Sequence, residues 1–151
     1  MAGLKCAYER LKSTSTADDV ILQIRLPDNQ RGLLHAIELM PEGAVTAVAP
    51  LAFAWEKQEE GTGGNDDSAD AEKLPPIGSE GIQSVLIDTW ATTEPEPANC
   101  DPKYTFSLHP QGARTWKPPT GPVLMMGGEN WGLRILDSTT TPVRVRIYWE
   151  E

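Results

Sequence analysis

The segment Val143-Arg144-Val145-Arg146-Ile147-Tyr148-Trp149-Glu150 decides the fold, because apolar and polar side chains alternate along its whole length. Its valines, isoleucine and tryptophan fall on one face, and its arginines, tyrosine and glutamate fall on the other. A period of two among β-branched and aromatic residues is typical of a strand that buries one face. The segment is therefore predicted to be a strand that borders a hydrophobic core.

The same alternation occurs in three segments nearer the N-terminus. Their predicted core-facing residues are Val20, Leu22, Ile24 and Leu26 in the first, Leu33, His35, Ile37 and Leu39 in the second, and Leu51, Phe53 and Trp55 in the third. The predicted outward residues are Gln23 and Arg25 in the first and Ala52, Ala54 and Glu56 in the third. Shorter strand candidates follow at 82–90, 104–108, 123–126 and 131–135.

Turn-forming residues are spread along the 151-residue chain, which contains 13 prolines and 13 glycines without a repeat. This composition suits many short strands joined by turns. No segment shows the period of an amphipathic helix, and no alternation of strands with helices indicates a parallel sheet. We therefore predict one all-β domain over residues 1–151, an antiparallel β-sandwich of jelly-roll-like architecture.

Two segments depart from the strand pattern. Residues 59–81 contain Gly61-Thr62-Gly63-Gly64 and several acidic side chains, with almost nothing to bury, and are predicted to form a long exposed acidic loop. Residues 1–12 hold Tyr8 and Leu11 among polar residues. They are compatible with a short strand or with an N-terminal arm.

The net charge of −9 and an isoelectric point near 4.7 argue against binding to nucleic acid, which requires clustered Lys and Arg. No apolar stretch approaches the ~18 residues that span a bilayer, and no signal-peptide core is visible. We therefore expect synthesis in the cytoplasm, with neither nucleic acid nor membrane as a partner. Cys6 and Cys100 are far apart in sequence and are expected to be free thiols in that reducing compartment.

No motif for catalysis or metal binding stands out. His35 and His109 are interpreted as a packed strand residue and a turn residue, because neither has the closely spaced ligands of a zinc site. Residues 66–72 carry four acidic side chains outside the register of a calcium loop, and Ser79 lacks the spacing of a nucleophile elbow. We predict no enzymatic activity, no cofactor and no bound metal.

The chain has five tryptophans. Trp55, Trp131 and Trp149 share the phase of apolar strand positions and are expected in the core. Trp90 and Trp116 flank proline-rich segments and are expected to be exposed at an interface, where aromatic residues are enriched. Because exposed tryptophans can also stack on sugars, a carbohydrate-binding module is an alternative function.

Several short motifs resemble those of small structural proteins of phages and prophages. They are Tyr8-Glu9-Arg10-Leu11-Lys12-Ser13, Leu22-Gln23-Ile24-Arg25, Pro27-Asp28-Asn29-Gln30-Arg31, Gly61-Thr62-Gly63-Gly64, Trp90-Ala91-Thr92-Thr93-Glu94-Pro95, His109-Pro110-Gln111-Gly112 and the final Glu150-Glu151. Together they span most of the chain, which resembles a tailed-phage capsid decoration (cement) protein with a jelly-roll-like sandwich. The acidity of residues 59–81 departs from that family.

The resemblance implies a virion protein on the capsid exterior, made in the host cytoplasm, that bridges major capsid subunits and self-associates as a dimer or trimer. We hypothesise that an arm over residues 4–11 and the proline-rich loops near two tryptophans form the contacts. The predicted interface residues are Leu4, Tyr8, Leu11, Trp90, His109 and Trp116. A tail, neck or fibre component of the virion is a further alternative.

Overall fold

The computed structural model describes residues 3–12, 19–42, 50–75, 80–98, 103–109, 112–137 and 142–151. Within these residues the chain forms thirteen strands and one short 3-10 helix, Ser68–Asp70. The strands are β1 (Lys5–Lys12), β2 (Val20–Arg25), β3 (Gly32–Pro41), β4 (Leu51–Gln58), β5 (Thr62–Gly64), β6 (Glu72–Lys73), β7 (Val85–Ile87), β8 (Trp90–Thr93), β9 (Lys103–Leu108), β10 (Arg114–Trp116), β11 (Val123–Met125), β12 (Asn130–Ile135) and β13 (Val143–Glu150).

Most of the strands belong to two antiparallel sheets that face each other across the core. Sheet A has the order β10-β3-β13-β1-β6, and β11 pairs with the same edge of β3 as β10. Sheet B has the order β7-β2-β12-β4-β9, while β5 and β8 form a separate two-stranded sheet. The prediction of an all-β antiparallel sandwich is confirmed.

Strand β13 occupies the centre of sheet A, between β1 and β3. Its predicted core face is confirmed, because Val143, Val145, Ile147 and Trp149 are all at most 2% exposed. The opposite face of β13 is half-buried along its whole length. One strand therefore supplies both the centre of the core and the centre of an outer surface.

Aromatic rings fill much of the core. The expectation that Trp55, Trp131 and Trp149 are buried is confirmed, and the first two rings stack with centroids 6.2 Å apart. Trp116 is also buried, at 7% exposure, and stacks on Phe106 with centroids 4.5 Å apart. The prediction that Trp116 is exposed is therefore wrong.

The physical reason for the burial of Trp116 is its pairing partner. Strand β10 has only three residues, so its sequence shows no readable alternation. It pairs with β3 so that Trp116 lies opposite Ile37, a core residue with no exposed surface. Residues directly opposite each other in an antiparallel pair share a face of the sheet, which places the indole inside.

Strand β3 changes phase part-way along its length. Its pairing with β13 joins Ala36 to Tyr148 but Leu34 to Trp149, so His35 is an extra residue in a bulge. Leu34 is fully buried, whereas Leu33 and His35 are half-buried on the outer side. The prediction that Leu33 and His35 face the core is wrong, because a bulge reverses the alternation that a regular strand would keep.

The centre of the outer face of sheet B is buried, which differs from what the alternating pattern of its strands predicts. Gln23, Ala54 and Glu56 were expected to face solvent, but they are at most 2% exposed. Residues 90–98, which we call the strap, run beside this face from the start of β2 to the end of β4. Its Glu94 carboxylate accepts the Val20 N–H at 2.9 Å, and the N–H of Ala98 donates to the Lys57 carbonyl at 3.0 Å.

Polar partners make this burial possible, since buried polar groups must be hydrogen-bonded. Arg134 pairs with Glu56 at 2.7 Å, and the Gln23 amide donates to Gln58 at 3.0 Å. The Gln58 side chain packs against Gly132 on β12, where there is no room for a larger residue. A Cβ atom on residue 132 would lie 1.9 Å from the Gln58 Oε1. The centre of this face is thus a buried polar layer.

Residues 59–81 do not form the single loop that their composition predicts. They contain β5, the 3-10 helix and β6, and they are attached to the body where β5 pairs with β8 and β6 with β1. The expected exposure holds for most described residues of the segment, namely 59, 60, 62–66, 69, 70, 72, 75, 80 and 81. Residues 76–79 of this segment, which include Ser79, lie outside the described part of the chain.

The N-terminal segment is a strand of the body. Strand β1 pairs with β13 over its full length and with β6 on its other side, and Cys6, Ala7 and Tyr8 are at most 1% exposed. Leu4 continues this attachment, because its N–H donates to the Glu151 carbonyl at 2.7 Å. The hypothesis that residues 4–11 form a free arm is wrong.

Replacing Trp116 by alanine is expected to lower the free energy of unfolding by about 3–5 kcal/mol, because the substitution removes a buried ring from the core. Leu124→Ala on the neighbouring strand β11 is the matched control, since Leu124 is 50% exposed. Its expected change is within about 0.5 kcal/mol. Urea unfolding followed by circular dichroism measures both, and a small loss for Trp116→Ala would contradict its burial.

Candidate functional site

The outer face of sheet A is a broad patterned surface. It is formed by the side chains that alternate with core residues on β1, β3 and β13. Pairing aligns them in rows across the sheet, so that Glu9, Arg146 and Glu38 form one row and Leu11, Arg144 and Met40 form the next. Leu11 and Met40 are 43% and 51% exposed, which makes the second row apolar at both ends.

Ion pairs connect the polar side chains of this face. The Arg144 guanidinium binds Glu9 at 2.7 Å and also contacts Glu42, and Arg146 binds Glu9 at 3.2 Å and Glu72 at 2.8 Å. The pKa of Glu9 is lowered, mainly because its carboxylate accepts a hydrogen bond from Arg144. Exposed pairs of this kind contribute little to stability, so their main effect is to fix the charge pattern of the surface.

A charged depression of about 330 Å³ lies between β10 and β13 on this face. Arg114 and Thr115 form one wall, Arg144 and Arg146 form the other, and Met40 is part of the lining. The Arg114 side chain donates to the Ser107 carbonyl at 2.5 Å, which holds it against the edge of β9. The depression offers apolar and charged contacts together.

A second depression of about 500 Å³, which we call the Lys5 groove, lies on the same face nearer the start of β1. Its walls include Lys5 on one side and Lys117, Pro118 and Pro122 on the other. Tyr148 is part of its lining, and the Tyr148 hydroxyl donates to Glu38 at 2.9 Å. The groove is therefore largely apolar and is bordered by two lysines.

A cluster of titratable groups closes one edge of the sandwich, where β1 of sheet A meets the end of β7 of sheet B. Asp88 is 1% exposed, and its Oδ2 accepts the Tyr8 hydroxyl and the Arg10 Nε, each at 2.7 Å. Lys12 Nζ donates to the backbone carbonyls of Val20 at 2.6 Å and Asp88 at 2.9 Å. These bonds tie the two sheets together.

The electrostatics of this cluster follow from burial. Burial raises the pKa of Asp67, and the adjacent Asp88 carboxylate raises it further. Burial and the hydrogen bond to Asp88 also raise the pKa of Tyr8, while burial lowers the pKa of Lys12. Because Asp88 is enclosed by its partners, the cluster serves as a connection between sheets and does not face a ligand.

The six predicted interface residues are not brought together. Leu4 packs against the core, Tyr8 is 1% exposed at Asp88, and Trp116 is in the core, so these three do not form an outer surface. Trp90, the first residue of the strap, is half-buried, with Lys12 Nζ 5.5 Å from its ring centroid. Leu11 is exposed on the outer face of sheet A, and His109 is exposed after β9.

Sequence reasoning missed the residues that share the outer face of sheet A with Leu11. The structure adds Met40 from β3 and Arg114 from β10, which lie far from Leu11 in sequence. The outward positions of Arg144 and Arg146 were predicted from the alternation in β13. Only the pairing of β1 and β3 with β13 shows which side chains share a face with them.

The buried cysteine is not a reactive group. Cys6 is fully buried, and burial raises the pKa of its thiol to about 12. A thiol is a poor nucleophile at neutral pH when its pKa is this high, because the thiolate is the reactive form. Cys100 lies outside the described residues.

Comparisons with models of known protein families, with curated proteins and with solved structures gave no match. Within the described residues no three His, Cys, Asp or Glu side chains are grouped as a metal ion would require. No helix in that part of the chain is long and apolar enough to cross a membrane. The geometry of the surface is therefore the basis for a functional proposal.

The raised pKa of Asp67 predicts a specific pH dependence of stability. A carboxyl group whose pKa is raised by folding stabilises the folded state below its unfolded pKa, and this contribution is lost as the pH rises through the folded pKa. Asp67→Asn, which keeps the neutral form, is expected to stabilise the protein at neutral pH and to change little below pH 3.8, the ordinary aspartate value.

The neighbouring Asp66 provides the control, because hydrogen bonds from Ser68 lower its pKa. Asp66 therefore stabilises the folded state above its unfolded pKa, and this effect is lost as the pH falls through the lowered value. Asp66→Asn is expected to destabilise the protein at neutral pH and to change little in acid. Thermal unfolding across the pH range measures both, and shifts of the same sign would contradict the assignment.

Proposed function

We propose that this protein is a structural subunit of a virion that decorates the outer surface of a phage capsid and bridges its major capsid subunits. In this proposal it is made in the host cytoplasm and docks through the outer face of sheet A. The observation that carries the proposal is the difference between the two sheets. The outer face of sheet B is buried at its centre, at Gln23, Ala54 and Glu56, whereas sheet A presents exposed apolar residues within a fixed pattern of charge.

The strand order supports the proposal. The chain passes between the sheets at each step from β1 to β4, with β1 and β3 flanking β13 in sheet A and β2 and β4 flanking β12 in sheet B. We interpret this alternation as a jelly-roll connectivity, which is found in viral capsid domains. It agrees in kind with the resemblance of the sequence motifs to phage decoration proteins.

The outer face of sheet A suits docking onto a regular lattice. Its arginines are held in place by Glu9, Glu42 and Glu72, so little side-chain entropy is lost when a partner binds. The exposed side chains of Leu11 and Met40 supply apolar area at one end of the face. A lattice with many equivalent sites turns modest contacts into high avidity wherever one subunit bridges two neighbours.

Two alternatives are separated from this proposal by different observations. A tail, neck or fibre component would use the same kind of surface, and only the location in the virion distinguishes it. A carbohydrate-binding module would need exposed aromatic platforms, but Trp116 is in the core and Trp90 is half-buried beside Lys12. The structure therefore favours a protein surface over a sugar as the ligand.

The docking face can be tested with heads purified from the phage whose genome encodes this chain. The double variant Leu11→Asp with Met40→Asp places two charges in the exposed apolar row. Its binding to heads is expected to be weaker by about tenfold or more, because each lost apolar contact costs about 1 kcal/mol. Cosedimentation of labelled protein with the heads measures the occupancy.

Thr92→Asp with Thr93→Asp is the matched control, because both residues are exposed on β8, outside sheet A. Occupancy equal to wild type for the Leu11 and Met40 variant would contradict docking through sheet A. Wild-type protein that does not sediment with the heads would contradict the capsid role itself. Binding to purified tails would then support the alternative of a tail component.

A further inference from the structure

The Lys5 groove is bordered by two lysines that have no ion-pair partner among the described residues. Neither Lys5 nor Lys117 forms an ion pair or a side-chain hydrogen bond with another described residue, although the net charge of the protein is −9. Many other cationic side chains form ion pairs, as Arg10 does with Asp88, Arg25 with Glu60 and Arg144 with Glu9. Glu150, near the groove, is bound by His35 and by the Gly3 N–H.

A complementary surface lies on the other side of the sandwich, beside the strap. The Glu59 N–H donates to the Glu96 carbonyl at 2.8 Å, so these two exposed residues are held side by side. Neither carboxylate makes a side-chain contact with the described residues, whereas the neighbouring Glu60 is paired with Arg25. Pro97 is exposed next to Glu96 and bridges to Gln58. We call Glu59, Glu96 and Pro97 the acidic ridge.

The two surfaces match in chemistry. The groove offers two free ammonium groups around an apolar floor that includes Tyr148 and Pro118. The ridge offers two free carboxylates and a proline ring, and proline-containing segments commonly dock in grooves lined by aromatic residues. Because the groove is on sheet A and the ridge is on the side of sheet B, they cannot meet within one molecule.

We propose that the Lys5 groove of one copy binds the acidic ridge of a second copy in a head-to-tail contact. Such a heterologous contact leaves a free groove on one copy and a free ridge on the other, so it continues into a closed ring or a row. The pairing is small and electrostatic, and it is expected to weaken as salt is added. It becomes effective where neighbouring copies are already held close together.

This inference extends the proposed function, because it assigns a contact between decorating subunits and leaves the docking row of Leu11 and Met40 free for the capsid. Its test therefore uses the full-length chain alone, with no capsid protein present. Self-association that fails while binding to heads persists would overturn only the inference. Binding to heads that fails while self-association persists would overturn only the proposed function.

A charge-swap experiment tests the contact directly. Lys5→Glu with Lys117→Glu reverses the groove, and Glu59→Lys with Glu96→Lys reverses the ridge. Sedimentation velocity at low ionic strength is expected to show concentration-dependent association for wild type and only monomer for each double variant. An equimolar mixture of the two variants is expected to associate again, because each reversed surface then meets an opposite charge.

Several comparisons make the outcome decisive. The two variants shift the net charge in opposite directions, so a general charge effect cannot remove association from both. Thr105→Glu with Ser107→Glu, outside both surfaces, is expected to associate like wild type, and circular dichroism checks that every variant is folded. A monomeric wild type, variants that still associate, or a mixture that stays monomeric would each overturn the inference.

Discussion

The hydrophobic core and the outer face of sheet A are both organised around strand β13. The strand lies between β1 and β3, so its apolar side chains fill the middle of the core and its polar side chains occupy the middle of the outer face. Because side chains alternate along a strand, a slip of one residue in its pairing would exchange these two sets. The core and the proposed docking surface are therefore fixed by the same register.

The polar side chains on the outer faces of the two sheets are accommodated in different ways. Sheet B buries polar side chains at the centre of its outer face, where Glu56 pairs with Arg134 and Gln23 donates a hydrogen bond to Gln58. The outer face of sheet A holds its charges in exposed ion pairs, which cost little to keep in water. Large partners therefore have access to the charge pattern of sheet A.

Ion pairs occur both at the edge of the sandwich and on the outer face of sheet A. At the sandwich edge, Asp88 binds Tyr8 and Arg10 and so joins β1 to the end of β7. In this acidic protein, many of the cationic side chains are paired with carboxylates in this way. The lysines of the Lys5 groove are a contrast to this pattern, which is why the groove is a candidate for contact with an acidic surface.

The all-β class, the antiparallel sandwich, the core face of β13 and the burial of Trp55, Trp131 and Trp149 can be predicted from the sequence, because regular alternation is a local signal. Other features depend on contacts between segments that are distant in sequence. The bulge at His35 reverses the phase of β3, pairing with Ile37 buries Trp116, and Gln23 and Glu56 are buried although the alternation places them outside. The candidate docking surface could not be predicted from the sequence either, because Leu11 and Met40 become neighbours of Arg144 only when β1 and β3 pair with β13.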